Sequence, residues 1–356
     1  MRLFSIIPKR AVGIDIGTSA IKVLELSSVA GKVKLENYAQ FSFKNVSKSF
    51  FSSFQKGSVL FSTKSIVEAL KKLLLAAKIQ PKNAFFSIPD FATFFATFSL
   101  PPMTKQEIPF AVEAEAKRHI PLPLSEVVWD WKILSKTKEG DKEKPQILLV
   151  ATPRDILAQY QVIANQLNLT NFSIEPETFS LVRALAKEEK GAVAIIDIGF
   201  KTTSCSIALD GNLRISHSFD FSGDDMTERV AKHLGIDFVL AEKLKRKYGF
   251  FPTTIPEGKS IVKILEPAVN LIFREISYFL ENFKNKEKKE VTKIILAGGE
   301  ANLPGLLQFC QNYFKKEVEL ANPFKNIIYP KVLEKKLLAM GPTFSVVVGL
   351  AKRGLE

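Results

Sequence analysis

Cysteine and histidine are scarce in this chain. Its 356 residues include two cysteines, Cys205 and Cys310, and three histidines at no metal-ligand spacing. Two isolated thiols cannot form a disulfide framework or a cysteine-bound metal cluster, and such rarity is typical of a reducing compartment. The sequence also lacks an uncharged apolar run of about 18 residues, so no membrane-spanning helix is expected. Its first ten residues lack the apolar core of a signal peptide.

Basic residues exceed acidic ones. The chain has 50 Lys and Arg against 37 Asp and Glu, a formal net charge of +13, while hydrophobic residues make up 46%. The apolar fraction and the length predict a globular protein with two or more subdomains. A positive surface attracts nucleic acid or anionic lipid. Because the charges are spread over many segments without a nucleic-acid motif, we expect no nucleic-acid partner and mostly solvated basic faces. Attraction to a membrane surface is the alternative.

A polar turn follows the first apolar strand. The strand runs into Asp15, and Gly17, Thr18 and Ser19 form the turn before a second apolar stretch begins. Glycine lets a ligand approach the backbone, and hydroxyls beside N–H groups suit phosphate oxygens. A carboxylate at the strand end suits Mg²⁺. Taken alone, this pattern is equally compatible with an ordinary hairpin.

The same pattern occurs a second time. Residues 194–203 again form an apolar strand followed by Asp197, Gly199 and the hydroxyls of Thr202 and Thr203. Such internal duplication indicates two similar structural units. Two lobes that each present an Asp and a Gly-hydroxyl turn to one cleft would bind a nucleoside triphosphate from both sides.

A third motif lies near the end of the chain, where residues 296–306 place Gly298 and Gly299 after an apolar strand. Together the three motifs resemble, in the expected order, the phosphate-1, phosphate-2 and adenosine motifs of the actin-like ATPase superfamily. The resemblance covers nearly the whole chain. It implies an α/β fold in which two duplicated lobes surround a nucleotide cleft that holds ATP with Mg²⁺.

The resemblance also implies a set of site residues. Asp15 and Asp197 would bind Mg²⁺ directly or through water. The phosphate contacts would come from Gly17, Thr18, Ser19, Lys22, Gly199, Thr202 and Thr203, and the nucleoside contacts from Gly223, Glu242, Lys245, Gly298 and Gly299. The spacing of Glu242 and Lys245 alone is equally compatible with an ordinary surface ion pair.

Hydrolysis would need a general base or a residue that orients water. The catalytic candidates are Asp15, Asp197 and Glu177, and Glu175 is the other carboxylate on the segment that connects the lobes. Phe200-Lys201 departs from the small residues that often follow the second glycine in this superfamily. We therefore expect slow ATP hydrolysis or none, with the nucleotide acting as a conformational ligand.

We expect three parts in the chain. The first lobe would span residues 10–82 and be completed by residues 169–190 and 341–356, the last containing a closing helix. An inserted module of βαββ type would occupy residues 83–168, and the second lobe, with the adenosine motif, residues 191–340.

Local patterns predict further details. Residues 45–61, rich in Ser and Phe, predict an irregular segment, and residues 136–145 predict an exposed charged loop. Capping boxes are expected at Ser65–Glu68 and Thr104–Glu107. Pro109 would lie past the first turn of the second of these helices and cost a hydrogen bond or bend it.

The inserted module indicates which members of the superfamily the chain resembles most. Within the superfamily, FtsA and PilM proteins carry a module of this sort at this point, and residues 113–128, 148–154 and 174–181 look closest to the PilM pattern. This implies an ATP-binding cytoplasmic scaffold of a type IV pilus assembly platform, or of related secretion machinery. Its partner would be the N-terminal cytoplasmic tail of a PilN-like inner-membrane protein, bound between the first lobe and the module. Other platform components and self-association are further expectations, with indirect contact to the inner face of the inner membrane.

Two other functions stay open. An FtsA-like cell-division protein would form filaments and tether them to the membrane, usually through a C-terminal amphipathic helix that is not expected after residue 352. A sugar or metabolite kinase of the same superfamily would need a catalytic Asp in a substrate cleft and would not use the inserted module.

Overall fold

The computed structural model of the chain describes residues 9–43, 51–55, 58–139 and 142–356. Its strands are β1 (Lys9–Ile16), β2 (Ala20–Val29), β3 (Lys32–Ser42), β4 (Phe51–Gln55), β5 (Ser58–Phe61), β6 (Ala84–Ile88), β7 (Phe94–Ser99), β8 (Val127–Glu139), β9 (Lys142–Pro153), β10 (Phe172–Pro176), β11 (Ala192–Ile198), β12 (Thr203–Leu209), β13 (Asn212–Phe219), β14 (Val291–Ala297) and β15 (Glu317–Leu320). Its helices are α1 (Thr63–Ala76), α2 (Ile108–His119), α3 (Arg154–Gln166), α4 (Glu177–Leu185), α5 (Gly223–Leu234), α6 (Phe238–Tyr248), α7 (Pro256–Glu287), α8 (Leu306–Phe314) and α9 (Glu334–Arg353). Among the described residues, these helices include none long and apolar enough to cross a membrane.

The two lobes have the same sheet topology. The first sheet has the strand order β10-β6-β1-β2-β3, and the second has the order β15-β14-β11-β12-β13 when taken in the matching direction. In each sheet the central strand pairs antiparallel with the next strand in sequence and parallel with a later one. The predicted duplication of lobes is therefore confirmed at the level of strand order and direction.

The three-stranded antiparallel sheet β7-β9-β8 forms a separate layer, and α2 covers one of its faces. With α2 between β7 and β8, the order is the βαββ expected for the inserted module. The expected range 83–168 also contains two elements that contact the first lobe. Strand β6 pairs with β1, and α3 places Ile156 and Tyr160 in the first lobe's core.

Two expected helix starts differ from the structure. Helix α1 begins earlier than predicted, because Ser62 rather than Ser65 is its N-cap and accepts a hydrogen bond from the Ser65 N–H. At the second box the Glu107 carboxylate accepts from the Thr104 N–H and hydroxyl at 2.8 Å, but α2 starts only at Ile108. Pro109 therefore lies in the first turn, where its missing N–H costs no helical hydrogen bond.

Two expected loops are partly strand. Of residues 45–61, those at 45–50 and 56–57 lie outside the described residues, whereas β4 and β5 pair antiparallel. The predicted loop at 136–145 is wrong for its described part, since β8 and β9 remain paired as far as Glu139 and Lys142.

Helix α9 packs against both lobes, and its backbone closely approaches that of α4. It contacts α4, β1, β2, β6 and β14. Val346 and Leu350 belong to the apolar cluster that contains Val193 of the second lobe, while Phe344 belongs to the cluster around Leu24 of the first. The approach is close enough that a Cβ added at Gly349 would overlap the Ser180 carbonyl of α4.

We expect Gly349→Ala to lower the free energy of unfolding by about 2–4 kcal/mol, because the added methyl group must displace the α4 backbone. Helix propensity alone would favour alanine by about 1 kcal/mol, so a loss would report the contact. Urea denaturation measures the difference. Gly299→Ala is the matched control: a Cβ there meets open space, and we expect a change within about 0.5 kcal/mol. Equal effects of the two substitutions would contradict this account of the α4–α9 contact.

Candidate functional site

A cavity of about 300 Å³ lies between the two lobes. Both Gly-hydroxyl turns, the adenosine motif, the end of β6 and the start of α4 contribute to its wall. Of the predicted site residues it is lined by Asp15, Gly17, Thr18, Ser19, Lys22, Glu177, Asp197, Gly199, Thr202, Gly298 and Gly299. Residues that are distant in sequence thus meet in one cavity, because they lie at or near the ends of neighbouring strands, in the turns that follow them, or at the start of α4.

The first turn is held by a backbone hydrogen bond from the Gly17 N–H to the Ala20 carbonyl at 3.0 Å. The register of β1 and β2 places Lys22 opposite Asp15. The Lys22 ammonium is 2.8 Å from one Asp15 oxygen, and the Ser87 hydroxyl donates to the other at 3.0 Å. Burial lowers the pKa of Lys22, whereas the negative charge of Asp15 and its hydrogen bond to Lys22 raise it. The carboxylates of Asp197 and Glu177 raise it further, so the pKa of Lys22 lies above its ordinary value. Lys22 therefore stays charged at the cavity wall.

The second turn has the same length and closure, with the Gly199 N–H donating to the Thr202 carbonyl at 2.9 Å. Its carboxylate lacks an equivalent of Lys22, because Ser204 lies opposite Asp197 in the register. Burial raises the pKa of Asp197 to about 7; Lys22 lowers it, and Asp90 and Asp15 raise it further. The two copies of the turn therefore differ in the charge of the residue opposite the carboxylate, which is a lysine in the first and a serine in the second.

Phe200-Lys201, the departure noted in the second turn, is tied to the start of α5. The Asp224 N–H donates to the Phe200 carbonyl at 2.9 Å, and the Lys201 ammonium pairs with the Asp224 carboxylate. Thr203 does not line the cavity and is completely buried. Thr202, by contrast, lies at the cavity wall, and the phosphate contacts of both threonines stay predictions.

Asp90 is a cavity residue that sequence reasoning missed. Its carboxylate is 3% exposed and accepts hydrogen bonds from the Thr178 N–H and hydroxyl. Burial raises the pKa of Asp90 to about 6, although the Thr178 bonds lower it. Its position directly after β6, a parallel neighbour of β1, was the available signal, because ligands bind beyond the carboxyl ends of parallel strands.

The two carboxylates of the connecting segment have different environments. Glu175 accepts from the Ser180 hydroxyl and pairs with Arg183 and Arg353, so it ties α4 to α9. Glu177 lines the cavity. Burial, followed by the carboxylates Asp15, Asp90 and Asp197, raises the pKa of Glu177 well above its ordinary value.

Gly298 has a left-handed backbone, with φ of +88°, and an added Cβ would overlap an Asp197 oxygen. Its N–H donates to the Pro342 carbonyl of α9 at 2.9 Å. The next carbonyl, of Gly299, accepts from the Arg246 guanidinium at 2.7 Å. Arg246 also lines the cavity and is a second residue that the sequence reasoning missed.

Glu242, Lys245 and Gly223 lie behind this wall in one buried network. Lys245 is fully buried, 2.8 Å from Glu242, 3.1 Å from Glu300 and 2.7 Å from the Gly223 carbonyl. Burial raises the pKa of Glu242, but Lys245 and Arg246 outweigh it, and the pKa falls to about 2. The alternative of an ordinary surface ion pair is therefore wrong. The contacts of Glu242, Lys245 and Gly223 to a nucleoside stay predictions. A Cβ added at Gly223 would overlap the Glu300 side chain.

The described residues contain no group of three or more His, Cys, Asp or Glu side chains placed to hold a metal ion together. Mg²⁺ usually keeps several waters and binds through one or two carboxylates plus substrate phosphates. Asp15 and Asp197 fit that mode, since both line the cavity beside the turns.

Solved structures define the class of protein. A PilM-PilN type IV pilus biogenesis complex matches with a TM-score of 0.81 and 26% identity over 97% of this chain and 98% of that chain. MreB 5 of Spiroplasma citri bound to AMPPNP gives 0.53 with 14% identity over 96% and 94%. The ethanolamine utilization protein EutJ from Carboxydothermus hydrogenoformans gives 0.55 with 15% identity over 97% and 90%. The chain has the actin-like ATPase fold, as the three motifs predicted.

The family model for type IV pilus assembly protein PilM matches residues 13–355, and the chain belongs to that family. Curated relatives include cell division protein FtsA of Bacillus subtilis, 25% identical over 39% of this chain and 36% of the relative. FtsA of Streptococcus pneumoniae is 22% identical over 87% of this chain and 75% of the relative. The chain thus spans about a third of the length of the first and three quarters of the second.

Asp90 should make stability depend on pH. Its pKa rises from 3.8 to about 6 on folding, so between these values the folded chain binds more protons than the unfolded one. The free energy of unfolding must then fall as pH rises from 4 to 6. We expect Asp90→Asn to remove about 2 kcal/mol of this fall. Denaturant titrations at several pH values test it, with the exposed Asp130→Asn as control. An unchanged slope in Asp90→Asn would contradict the prediction.

Proposed function

We propose that the protein is an ATP-binding cytoplasmic scaffold of a type IV pilus assembly platform or related secretion machinery. The observation that carries the nucleotide part is the meeting of both Gly-hydroxyl turns and the Gly298-Gly299 backbone in one cavity between the lobes. Backbone N–H groups and hydroxyls suit phosphate oxygens, and the glycines let a ligand approach the main chain.

The charge of the cavity supports a divalent cation with the nucleotide. Four carboxylates line it, those of Asp15, Asp90, Glu177 and Asp197, against two cations, Lys22 and Arg246. A nucleoside triphosphate would bring its own negative charge close to these carboxylates. Mg²⁺ would offset that repulsion, and Asp15 and Asp197 would hold it directly or through water.

The second turn supports slow hydrolysis, because the large residue Phe200 follows the second glycine and the Lys201 ammonium is paired with the Asp224 carboxylate. Burial and the neighbouring carboxylates raise the pKa of Glu177 well above its ordinary value. Asp15 already accepts from Lys22 and Ser87. We therefore propose that the nucleotide acts as a conformational ligand that is turned over slowly or not at all.

The partner part of the proposal rests on the family and on the 0.81 TM-score to a PilM-PilN complex. We propose that the groove between the first lobe and the module binds the N-terminal cytoplasmic tail of a PilN-like inner-membrane protein. The protein would then lie at the inner face of the inner membrane. Other platform components and self-association complete the proposal.

Contacts of the module offer a route for nucleotide control. The Thr97 hydroxyl on β7 donates to the Arg214 carbonyl on β13 at 2.8 Å, so the module touches the second lobe as well as the first. The short helical turn Asp90–Ala92 joins cavity-lining Asp90 to the start of β7. A change in lobe closure would therefore reach β7 of the module both through the turn that precedes it and through its contact with β13.

Nucleotide binding can be tested at Gly298. We expect Gly298→Ala to weaken Mg-ATP binding at least tenfold, because the left-handed backbone and the Asp197 oxygen both oppose a Cβ. Isothermal titration calorimetry measures the affinity. Gly235→Ala is the matched control, since Gly235 also has positive φ but ends α5 in open space. Equal weakening by both would mean that backbone strain, not the site, is responsible.

Partner binding can be tested with a synthetic N-terminal tail of a PilN-like membrane protein, with and without Mg-ATP. We expect micromolar or tighter binding by fluorescence anisotropy, and a shift with Mg-ATP that measures the coupling between sites. Asp15→Ala should abolish the shift caused by Mg-ATP, whereas the affinity for the tail in the absence of nucleotide should stay unchanged. Failure of the tail to bind while Mg-ATP still binds would instead favour the FtsA-like filament-forming tether.

A further inference from the structure

Two helix ends bring lysines together on the second lobe. Helix α7 ends at Glu287 with Lys288 as its C-cap, and α8 ends at Phe314 with Lys315 as its C-cap. Glu290 joins these ends, because its carboxylate lies 3.4 Å from the Lys284 ammonium and 2.8 Å from that of Lys316. We define the lysine patch as Lys284, Lys286, Lys288, Lys289, Lys315 and Lys316.

The patch concentrates the positive charge of the chain. Residues 284–290 and 315–316 contain six lysines and two glutamates, a net charge of +4 in nine residues, against +13 for all 356. Lys286, Lys288, Lys289 and Lys315 are exposed, and none of the four has a carboxylate partner among the described residues. One cation at each helix end would suffice to complement the helix dipole, so the further lysines need another explanation.

Acidic residues lie near the patch, beside β14 and on β15. Beyond it, Lys293 is surrounded by Glu189, Glu317 and Glu319 at 3.0–3.9 Å. On its other side Gln146 of the module donates to Glu287, which brings the exposed Lys144 near the end of α7. The end of α7 beside the patch therefore contacts the module, whereas the charge of Lys293 on β14 is offset by its acidic neighbours.

We infer that the lysine patch binds the surface of an anionic lipid membrane. All of its basic residues are lysines, which act as hydrated point charges, whereas specific recognition of single phosphates favours the bidentate arginine fork. The patch does not line the cavity between the lobes, and four of its six lysines lie in the last turn of α7 or at the C-caps of α7 and α8. Clusters of four to eight basic residues are typical of attraction to anionic lipid headgroups. The contact is independent of the proposed tail binding, because it needs no partner protein.

The experiment is co-sedimentation of the full chain with vesicles that contain no protein. One set contains phosphatidylglycerol, and the other only phosphatidylcholine. We expect binding to the anionic set alone, with loss as salt rises from about 0.05 M to about 0.5 M. Replacing Lys286, Lys288, Lys289 and Lys315 by Gln should lower the partition coefficient at least tenfold.

The matched control replaces Lys259, Lys263, Lys331 and Lys335 by Gln, which removes the same charge from exposed positions outside the patch. Lys259 and Lys286 are separated by about 40 Å along α7. Thermal melting confirms that both variants fold. Equal loss in the two variants would overturn the inference in favour of diffuse net charge. So would absence of vesicle binding, or patch-dependent binding of a single-stranded oligonucleotide in its place.

Measurements on the same variants separate this inference from the proposed function. We expect the patch variant to bind the synthetic tail and Mg-ATP as the wild type does. Loss of tail binding in that variant would show that the patch belongs to the partner surface and overturn the lipid assignment. Loss of tail binding in every variant, with vesicle binding kept, would count against the proposed function alone.

Discussion

The backbone contact between α9 and its neighbours is the constraint on which the rest of the structure depends. Gly349 and Gly13 permit it, because a side chain at either would overlap a carbonyl oxygen of the facing element. With α9 held there, the Pro342 carbonyl accepts from the Gly298 N–H and fixes the adenosine motif beside Asp197. The cavity between the lobes is thus shaped by helix packing as much as by its own turns.

The turns themselves were predictable because they are local. Asp15 and Gly17 lie within three residues of each other, and the pairing of strands around a four-residue turn places Lys22 opposite Asp15. Asp90 and Arg246 were not predicted, because their place depends on contacts between distant segments. Asp90 reaches the cavity through the parallel pairing of β6 with β1, and Arg246 through the packing of α6 behind Gly299. The predicted start of α1 was wrong because Ser62 and Ser65 both suit an N-cap, and the local pattern does not decide between them.

Duplication has preserved backbone geometry more closely than charge. Both turns close with one hydrogen bond across four residues, yet the first carboxylate faces a lysine and the second faces a serine. The cavity is therefore asymmetric in electrostatics although the two lobes that form it share one topology.

The module belongs to one lobe by chain order but to both by packing. Leu148 of β9 is 2% exposed and shares an apolar cluster with Val193 and Leu213 of the second lobe. A relative's module could not be transplanted into this chain as a self-contained cassette, because its inner face would have to match β13 as well as the first lobe. Chimaeras that exchange the module would need to carry the facing residues of β13 with it.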